Sequence, residues 1–373
     1  MCASVEAAKL RPIGYYVHHQ GRGHATRAQL LIRQLERSVT VFTSAPHYFA
    51  PDCEANVVEL PSDYEAPDAQ AEVALPSSPV MHYAPLGVAG LRQRMATMAQ
   101  WVAKHDPAYV IVDVSVEVAL LMRGLGVPTV VTKLQGDRSD LPHQIAFQHA
   151  SAILCPYPAA WEQFALPSSQ RQKCIYIGAY SRFQGRQPCG KTIPGRVLVF
   201  MGSGGSQLTI DRLCTLAEAL PNHTVEVLGS IDVESGFSLP QNLSYVGAVL
   251  DPWPHLCEAE VVIAGAGTNA VMEVGSAGKP LICVPEQRAF DEQLTKARAL
   301  ADAGLALRCE HWPSAAAWPR VLAKAEQLSP SRWQSYFTDP TLSAVAARVE
   351  HDCTGGFSNL SRLPQMLARL PVE

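Results

Sequence analysis

The stretch YYVHHQGRGHATRAQLL, residues 15–31, places His24 just after a Gly-Arg-Gly turn, at the entrance of a segment that reads as a helix. Free imidazole titrates near neutrality, so a histidine there can take the proton of an attacking hydroxyl. Asp113, in YVIVDVSVE, follows a later apolar run and offers a carboxylate to orient that imidazole. Its other reading is a helix cap, since Ser115 and an apolar helical segment follow. Gly23 adjoins the histidine, and Arg27 stands one helical turn on, either facing a phosphate or carboxylate from the cleft floor or lying on the helix surface. His18 and His19 read as part of the preceding strand, hence as wall or packing residues. His143, His149 and Trp253 read as packing or cleft lining.

Three further loops offer groups for an anionic, sugar-bearing ligand. Gly202, Ser203, Gly204, Gly205 and Ser206 follow the apolar run VLVFM and precede a helix. Glycines let backbone N–H groups approach a phosphate, serines add donors and a helix N-terminus adds positive potential. The bland alternative is a flexible turn, and without a Walker lysine a nucleoside triphosphatase is not expected. Gly265, Gly267, Thr268 and Asn269 mark a second strand-to-helix passage, where Thr268 can cap the helix or donate to phosphate. Glu273, further along that helix, can accept both hydroxyls of a ribose, or be a solvated helix charge. In EQRAFDEQ, Glu292 and Gln293 lie at the start of the next helix, as dipole partners or as ligands for sugar hydroxyls.

The elements that must position these groups alternate regularly. IGYYVHH, VTVFTS, YVIVDV, PTVVTK, SAILCP and IYIGAY read as strands with helices between them, and RVLVFM, HTVEVLGS, LSYVGAV, EVVIAG, PLICVP and LALR restart the same pattern. Near-continuous Val/Ile/Leu runs joined by helical crossovers predict parallel sheets of the Rossmann type in an α/β fold, one per half. The break FQGRQPCGKTIPG, residues 183–195, reads as the connection between halves. This predicts an N-terminal domain over 1–185, a second over 186–355, and a terminal helix over 356–373 that crosses back to the first. The Pro-, Ser- and Ala-rich stretch 61–91 is long for a connection and reads as a substrate loop.

Composition excludes several classes. With 30 basic and 34 acidic residues in 373 and a formal charge of −4, the chain carries no broad footprint for nucleic acid. No stretch has the ~18 apolar residues a membrane span needs, and MCASVEAAKLRP lacks a signal-peptide core, which predicts a cytoplasmic protein. Ten scattered cysteines without a CxxC read as buried thiols in a reducing compartment. No DxD motif or His/Cys ligand spacing stands out, so neither metal nor cofactor is expected.

The segment GAGTNAVMEVGSAGKPLICVPEQRAFDEQLTKARALADAG, residues 265–304, resembles the donor-binding region of GT-B-fold glycosyltransferases, family 28 and UDP-sugar enzymes especially. Gly265, Thr268, Glu273, Gly278, Pro280, Pro285, Glu292 and Gln293 match its pattern. MGSGGS is similar to the phosphate loop of these enzymes, and GRGHATRA to the Gly-x-Gly-His-x-x-Arg opening of a related group of predicted glycosyltransferases. The resemblance implies two Rossmann-like domains facing across a cleft. Its donor would be a nucleotide-diphosphate sugar, most often a UDP-sugar, transferred with inversion and without metal. By the same resemblance Gly202 to Ser206 and Thr268 hold the diphosphate, Glu273 the ribose, and Glu292 with Gln293 the sugar, while Val246, Val249 and Trp253 border the base. His24 would be the base, assisted by Asp113. Lys296 departs from the pattern, which has Asn there. The acceptor, a small molecule or a lipid-linked glycan, is not named by any motif, and the apolar segment PLGVAGLRQRMATMAQWV allows peripheral membrane contact. Two other readings stand beside this one: a UDP-sugar hydrolase of a sialic-acid-like pathway, which shares the same opening, and a non-catalytic nucleotide-sugar binder. A roomy, apolar cleft built by residues 61–100 would favour transfer, a small closed one hydrolysis.

Overall fold

The computed structural model describes residues 10–63, 80–187, 190–202, 206–231, 238–337 and 342–355. The first half runs β1 (Ile13–Tyr16), α1 (Arg22–Ile32), β2 (Val39–Thr43), β3 (Ala55–Glu59), α2 (Ala89–His105), β4 (Tyr109–Val112), α3 (Val116–Gly124), β5 (Thr129–Thr132), α4 (Leu141–His149), β6 (Ala152–Cys155), α5 (Ser168–Arg171) and β7 (Cys174–Tyr176). The second runs β8 (Arg196–Phe200), α6 (Ile210–Ala219), β9 (Thr224–Leu228), β10 (Leu243–Gly247), α7 (Trp253–Glu258), β11 (Val261–Ala264), α8 (Thr268–Ser276), β12 (Leu281–Cys283), α9 (Glu292–Asp302) and β13 (Leu307–Arg308). It is followed by α10 (Trp318–Ala325) and α11 (Leu342–Thr354).

The first sheet has strand order β3-β2-β1-β4-β5-β6-β7 and the second β10-β9-β8-β11-β12-β13. Every pairing in both is parallel. Each is thus an open, doubly wound sheet, as the alternation of apolar runs and helices predicts. The central strands explain why: every residue of IGYY, YVIV, TVVT and AILC is buried, so both faces must be covered by helices. The edge strand β3, ANVVE, escapes the sequence reading because it is only half-buried and offers two valines among polar neighbours.

Two assignments change. The run IGYYVHH does not stay in the strand: β1 stops at Tyr16, one further ladder bond goes from Val17 N–H to the Phe42 carbonyl, and His18 and His19 lie in the loop beyond. The return to the first sheet is made by α11, inside the stretch the sequence assigns to the second domain. Its stripe Val345, Ala346, Val349 and Cys353 is buried with Ile13, Tyr15, Tyr109 and Leu154, and Arg37 Nε donates to Glu350 at 2.7 Å. A helix with i, i+1, i+4 and i+8 apolar positions must bury that stripe, and the outer face of the first sheet receives it. The terminal helix expected over 356–373 lies outside the described residues. Among the described residues no helix is long and apolar enough to cross a membrane.

The order reverses between β1 and β4 in one sheet and between β8 and β11 in the other. Loops leaving the carboxyl ends of two such strands diverge to opposite faces and open a crevice between them. His24 and Asp113 follow β1 and β4; Gly202 and Gly265 follow β8 and β11.

Candidate active site

The two crevices face each other across a single cleft of about 600 Å³, within the range of small-molecule sites, lined from both halves. His24 is the third residue of α1, not the end of the loop before it. Gly21, at φ 81°, makes the left-handed turn into the helix, a conformation glycine adopts without steric cost. His24 and Arg27, three residues apart on α1, share a helix face, and both reach Asp113. His24 Nδ1 lies 2.6 Å from Asp113 Oδ2, and Arg27 Nη2 donates to Oδ1 at 2.5 Å. Donation to the carboxylate places the imidazole proton on Nδ1 and leaves Nε2 with a lone pair.

Asp113 is fully buried. Burial alone would raise its carboxyl, but the Arg27 guanidinium and His24 outweigh that and hold it well below the usual carboxylate range. It does not cap α3; Ser115 does, accepting from Val118 N–H at 3.2 Å. Val114 between them sits at φ 55° and lines the cleft. A β-branched residue in that region is strained, and such strain collects at functional sites. Arg27 is likewise no surface residue, being 4% exposed and committed to Asp113. His18 lines the cleft beside His24, ring centroids 5.5 Å apart, and His19 stacks on it at 4.6 Å.

Across the cleft stands α8. Neither α1 nor α8 has a side-chain cap or an acidic residue in its first turn. Their N-terminal ends therefore present positive potential to the cleft from both sides. They meet where Asn269 Nδ2 donates to the Gly23 carbonyl at 3.3 Å. Gly265, Gly267, Thr268, Asn269 and Glu273 all line the cleft, as does Gly202. Ser203, Gly204 and Gly205 lie outside the described residues. Ser206 Oγ donates to Glu286 at 2.7 Å and does not line the cleft.

Thr268 is the first residue of α8 and does not cap it. Its Oγ1 accepts from Lys296 Nζ at 2.5 Å, and Lys296 lies 3.4 Å from Glu292. Lys296 is 2% exposed, and burial lowers its ammonium despite Glu292. A cation thus sits directly behind the helix N-terminus, at the position where the sequence departs from the family pattern. Glu273 is not a solvated charge. It is buried, its carboxyl is raised by burial, and Arg182 Nε offsets this with a hydrogen bond of 2.8 Å. The carboxylate keeps acceptor capacity for a ligand beside that arginine. Gln293 Oε1 accepts from Ala266 and Glu286 N–H at 3.0 and 2.9 Å, tying two cleft loops together, so only its Nε2 is left for a ligand.

The expected base-binding residues are redistributed. Trp253 is fully buried, packed on Phe183 at 5.0 Å with Nε1 donating to the Gln187 carbonyl, and no ligand reaches its ring. Val246 is 44% exposed on the edge strand β10, outside the cleft lining. Val249 does line it, with Ala248 and Pro252. A sequence reading has no means of telling these positions apart, because one loop residue turns the chain from outside to cleft. Arg182, Arg138 and Phe290 also line the cleft; Arg182 and Arg138 stand in no motif, and Phe290 lies within EQRAFDEQ with no pattern that marks it.

The class of fold follows from these sheets and this cleft: two Rossmann-like domains facing one another, the GT-B fold. Solved structures agree. Medicago truncatula UGT71G1 complexed with UDP-glucose has a TM-score of 0.66 at 14% identity, covering 94% of this chain and 100% of that one. Acinetobacter baumannii MurG has a TM-score of 0.56 at 14% identity, covering 91% and 99%. The family resemblance lies in the second half, where residues 197–312 match the glycosyltransferase family 28 C-terminal domain. A UDP-N-acetylglucosamine–N-acetylmuramyl-(pentapeptide) pyrophosphoryl-undecaprenol N-acetylglucosamine transferase of Geobacillus kaustophilus is 28% identical over 196 residues, 48% of this chain and 53% of that protein. An uncharacterized glycosyltransferase of Methanosarcina acetivorans is 26% identical over 160 residues, 42% and 41%. The chain thus spans about half the length of the curated relatives it matches.

Proposed function

We propose that this chain is an inverting glycosyltransferase that moves a sugar from a nucleotide-diphosphate sugar, of the UDP class, to an acceptor hydroxyl, with no metal ion required at the diphosphate. The observation that carries this reading is the His24–Asp113 pair, with His24 in the first turn of α1, placed across one cleft from the N-terminus of α8, which has no side-chain cap. In this reading His24 Nε2 takes the acceptor's proton while its oxygen attacks the anomeric carbon. The bond from that carbon to the diphosphate oxygen breaks, and the nucleotide leaves with the electron pair. Attack from the His24 side, opposite the departing diphosphate, is a single displacement and inverts the anomeric centre. Asp113 holds the imidazole and stabilises its cation.

The leaving charge is met by N–H groups around Gly202, Gly265 and Gly267, by Thr268 and Asn269, and by the Lys296 ammonium behind them. This supplies locally what a divalent cation supplies elsewhere. Glu273 takes the ribose, Val249 with Ala248 borders the base, and Glu292 with Gln293 Nε2 meets the sugar. The family 28 match over the donor half and the names of the relatives support a UDP-sugar donor. The acceptor is a small molecule or a lipid-linked glycan, and a cytoplasmic location, at most peripheral to the inner membrane face, belongs to the same reading. The cleft wall from residues 61–100 falls partly on 64–79, outside the described residues, so reaction assays must separate transfer from hydrolysis. The test is release of nucleotide diphosphate from a panel of nucleotide sugars, with and without lipid and soluble acceptor pools. Acceptor-dependent release supports transfer; equally fast release to water alone replaces it with hydrolysis, and no binding of any donor removes it.

A further inference from the structure

A second cluster stands in the same cleft, away from the His24–Asp113 pair and outside every motif. His82 Nε2 lies 2.7 Å from Asp140 Oδ1, His143 Nδ1 lies 2.7 Å from Asp140 Oδ2, and the three ligand atoms are all within 4.8 Å of one another. The two imidazole rings meet edge to face at 4.2 Å. Asp140 and His143 are one turn apart at the start of α4, while His82 comes from the loop before α2. That loop is pinned: Glu117 Oε1 accepts the backbone N–H of His82 and of Tyr83 at 2.6 and 2.8 Å. Glu117 thus fixes the backbone of the loop that carries His82.

The cluster is also covered from the other half. Phe290 lies over it, 4.9 Å from the His143 ring and 5.4 Å from His82, with the Arg138 guanidinium on its ring at 4.2 Å. Phe290 and Asp291 both have left-handed backbone, φ 59° and 52°, and the Phe290 carbonyl accepts from Asp137 N–H. A strained two-residue turn is thus spent on closing this corner.

We propose that His82, Asp140 and His143 form a binding site for a divalent transition-metal ion of the zinc class on the acceptor side of the cleft. Two imidazole nitrogens and one carboxylate form the borderline donor set that such ions take, and three protein ligands leave a fourth position for an exchangeable oxygen. Tetrahedral coordination at ordinary bond lengths separates ligand atoms by ~3.3 Å; the two nitrogens now lie 2.7 Å from different Asp140 oxygens and all three ligand atoms are within 4.8 Å of one another, so side-chain rotation is what brings them onto one ion. His82 and His143 line the cleft, so the fourth position is open to water or to an oxygen of the acceptor. None of its three ligands is among the groups assigned to the donor's diphosphate or ribose.

The test uses full-length protein stripped with a chelator and titrated with Co2+, then Zn2+, followed by visible absorption and calorimetry. One equivalent of Co2+ should bind with the strong visible bands of low-symmetry coordination and be displaced by Zn2+. His82→Ala, whose loop position makes misfolding an unlikely confounder, and Asp140→Asn, which keeps the helix cap, should each weaken binding by at least about tenfold. UDP titrated into the same samples should bind equally in all three proteins, so a failure here is separable from a failure of the donor site. Absence of stoichiometric binding by the parent protein, or binding by both variants as tight as the parent's, overturns the proposal.

Discussion

His24→Ala and Asp113→Asn separate chemistry from folding, because the two residues share one hydrogen bond but not the same burial. Removing the imidazole leaves the Asp113–Arg27 pair intact, at 2.5 Å and buried. Stability should then change by less than ~1 kcal/mol, as for a partly exposed side chain whose two neighbours, Asp113 and Arg27, stay paired with each other. Turnover should fall by roughly 10²- to 10⁴-fold, the usual worth of a positioned base, or about 3–5 kcal/mol of barrier. Asp113→Asn removes the charge that neutralises Arg27 in a site without solvent, and breaking such a pair costs about 3–5 kcal/mol. It also frees the imidazole tautomer, so turnover falls as well. Because Asp113 acts on the reaction through His24, the double variant should be no slower than His24→Ala, within about 0.5 kcal/mol. The assay is nucleotide release from a UDP-sugar, using transfer to water as the background reaction where no acceptor is in hand, with urea unfolding measured alongside. Additive losses of turnover in the double variant, or unchanged turnover in His24→Ala, would refute the reasoning.

The other expectations concern the donor half and pH. Glu273→Gln should weaken UDP binding roughly tenfold to a hundredfold, the worth of charge-assisted hydrogen bonds to the ribose, and calorimetry showing no change removes Glu273 from that role. Lys296→Met should weaken UDP more than uridine, since the ammonium bonds Thr268 at the start of α8, the helix end proposed to meet the diphosphate; equal effects on the two ligands would place it elsewhere. Trp253→Phe should lower the melting temperature without altering UDP affinity, because its ring and N–H are spent on Phe183 and Gln187. His18 is driven down to about 3 by burial, with His24 and His19 adding to it. An unfolded imidazole titrates near 6.5, so between about 6.5 and 3 the unfolded chain holds more protons and stability falls as the pH falls. His18→Gln should flatten that part of the pH–stability curve, and an unchanged slope between pH 7 and 5 would contradict it.

What the sequence reveals follows the reach of each signal. Val/Ile-rich runs report burial on both faces wherever they occur, so the central strands of both sheets and their Rossmann order are legible. The half-buried edge strand β3 carries no such signal. Glycine turns and the residues after strands point to the cleft's floor, so His24, Asp113, Thr268 and Glu273 emerge as candidates, but spacing leaves a cap or surface-charge alternative beside the last three and only the resemblance assigns their roles. Side chains that arrive from other elements are not found: Arg182 meets Glu273 from the end of the first half, just before the interdomain connection, and Phe290 crosses to His82 and His143 from the opposite half. Orientation is equally hidden, as Trp253 and Val249 show, four residues apart with one in the core and one in the cleft. The burial of Arg27 depends on Asp113, which is distant in the chain, so helix periodicity leaves its surface alternative open.

The most direct test of the central claim is calorimetric titration of the parent protein with UDP, repeated with Lys296→Met and Glu273→Gln. The facing helix ends, the buried Lys296 and the Glu273 proposed to meet the ribose predict saturable one-to-one binding, weakened in both variants. No binding at millimolar UDP, or binding indifferent to both substitutions, would contradict the account.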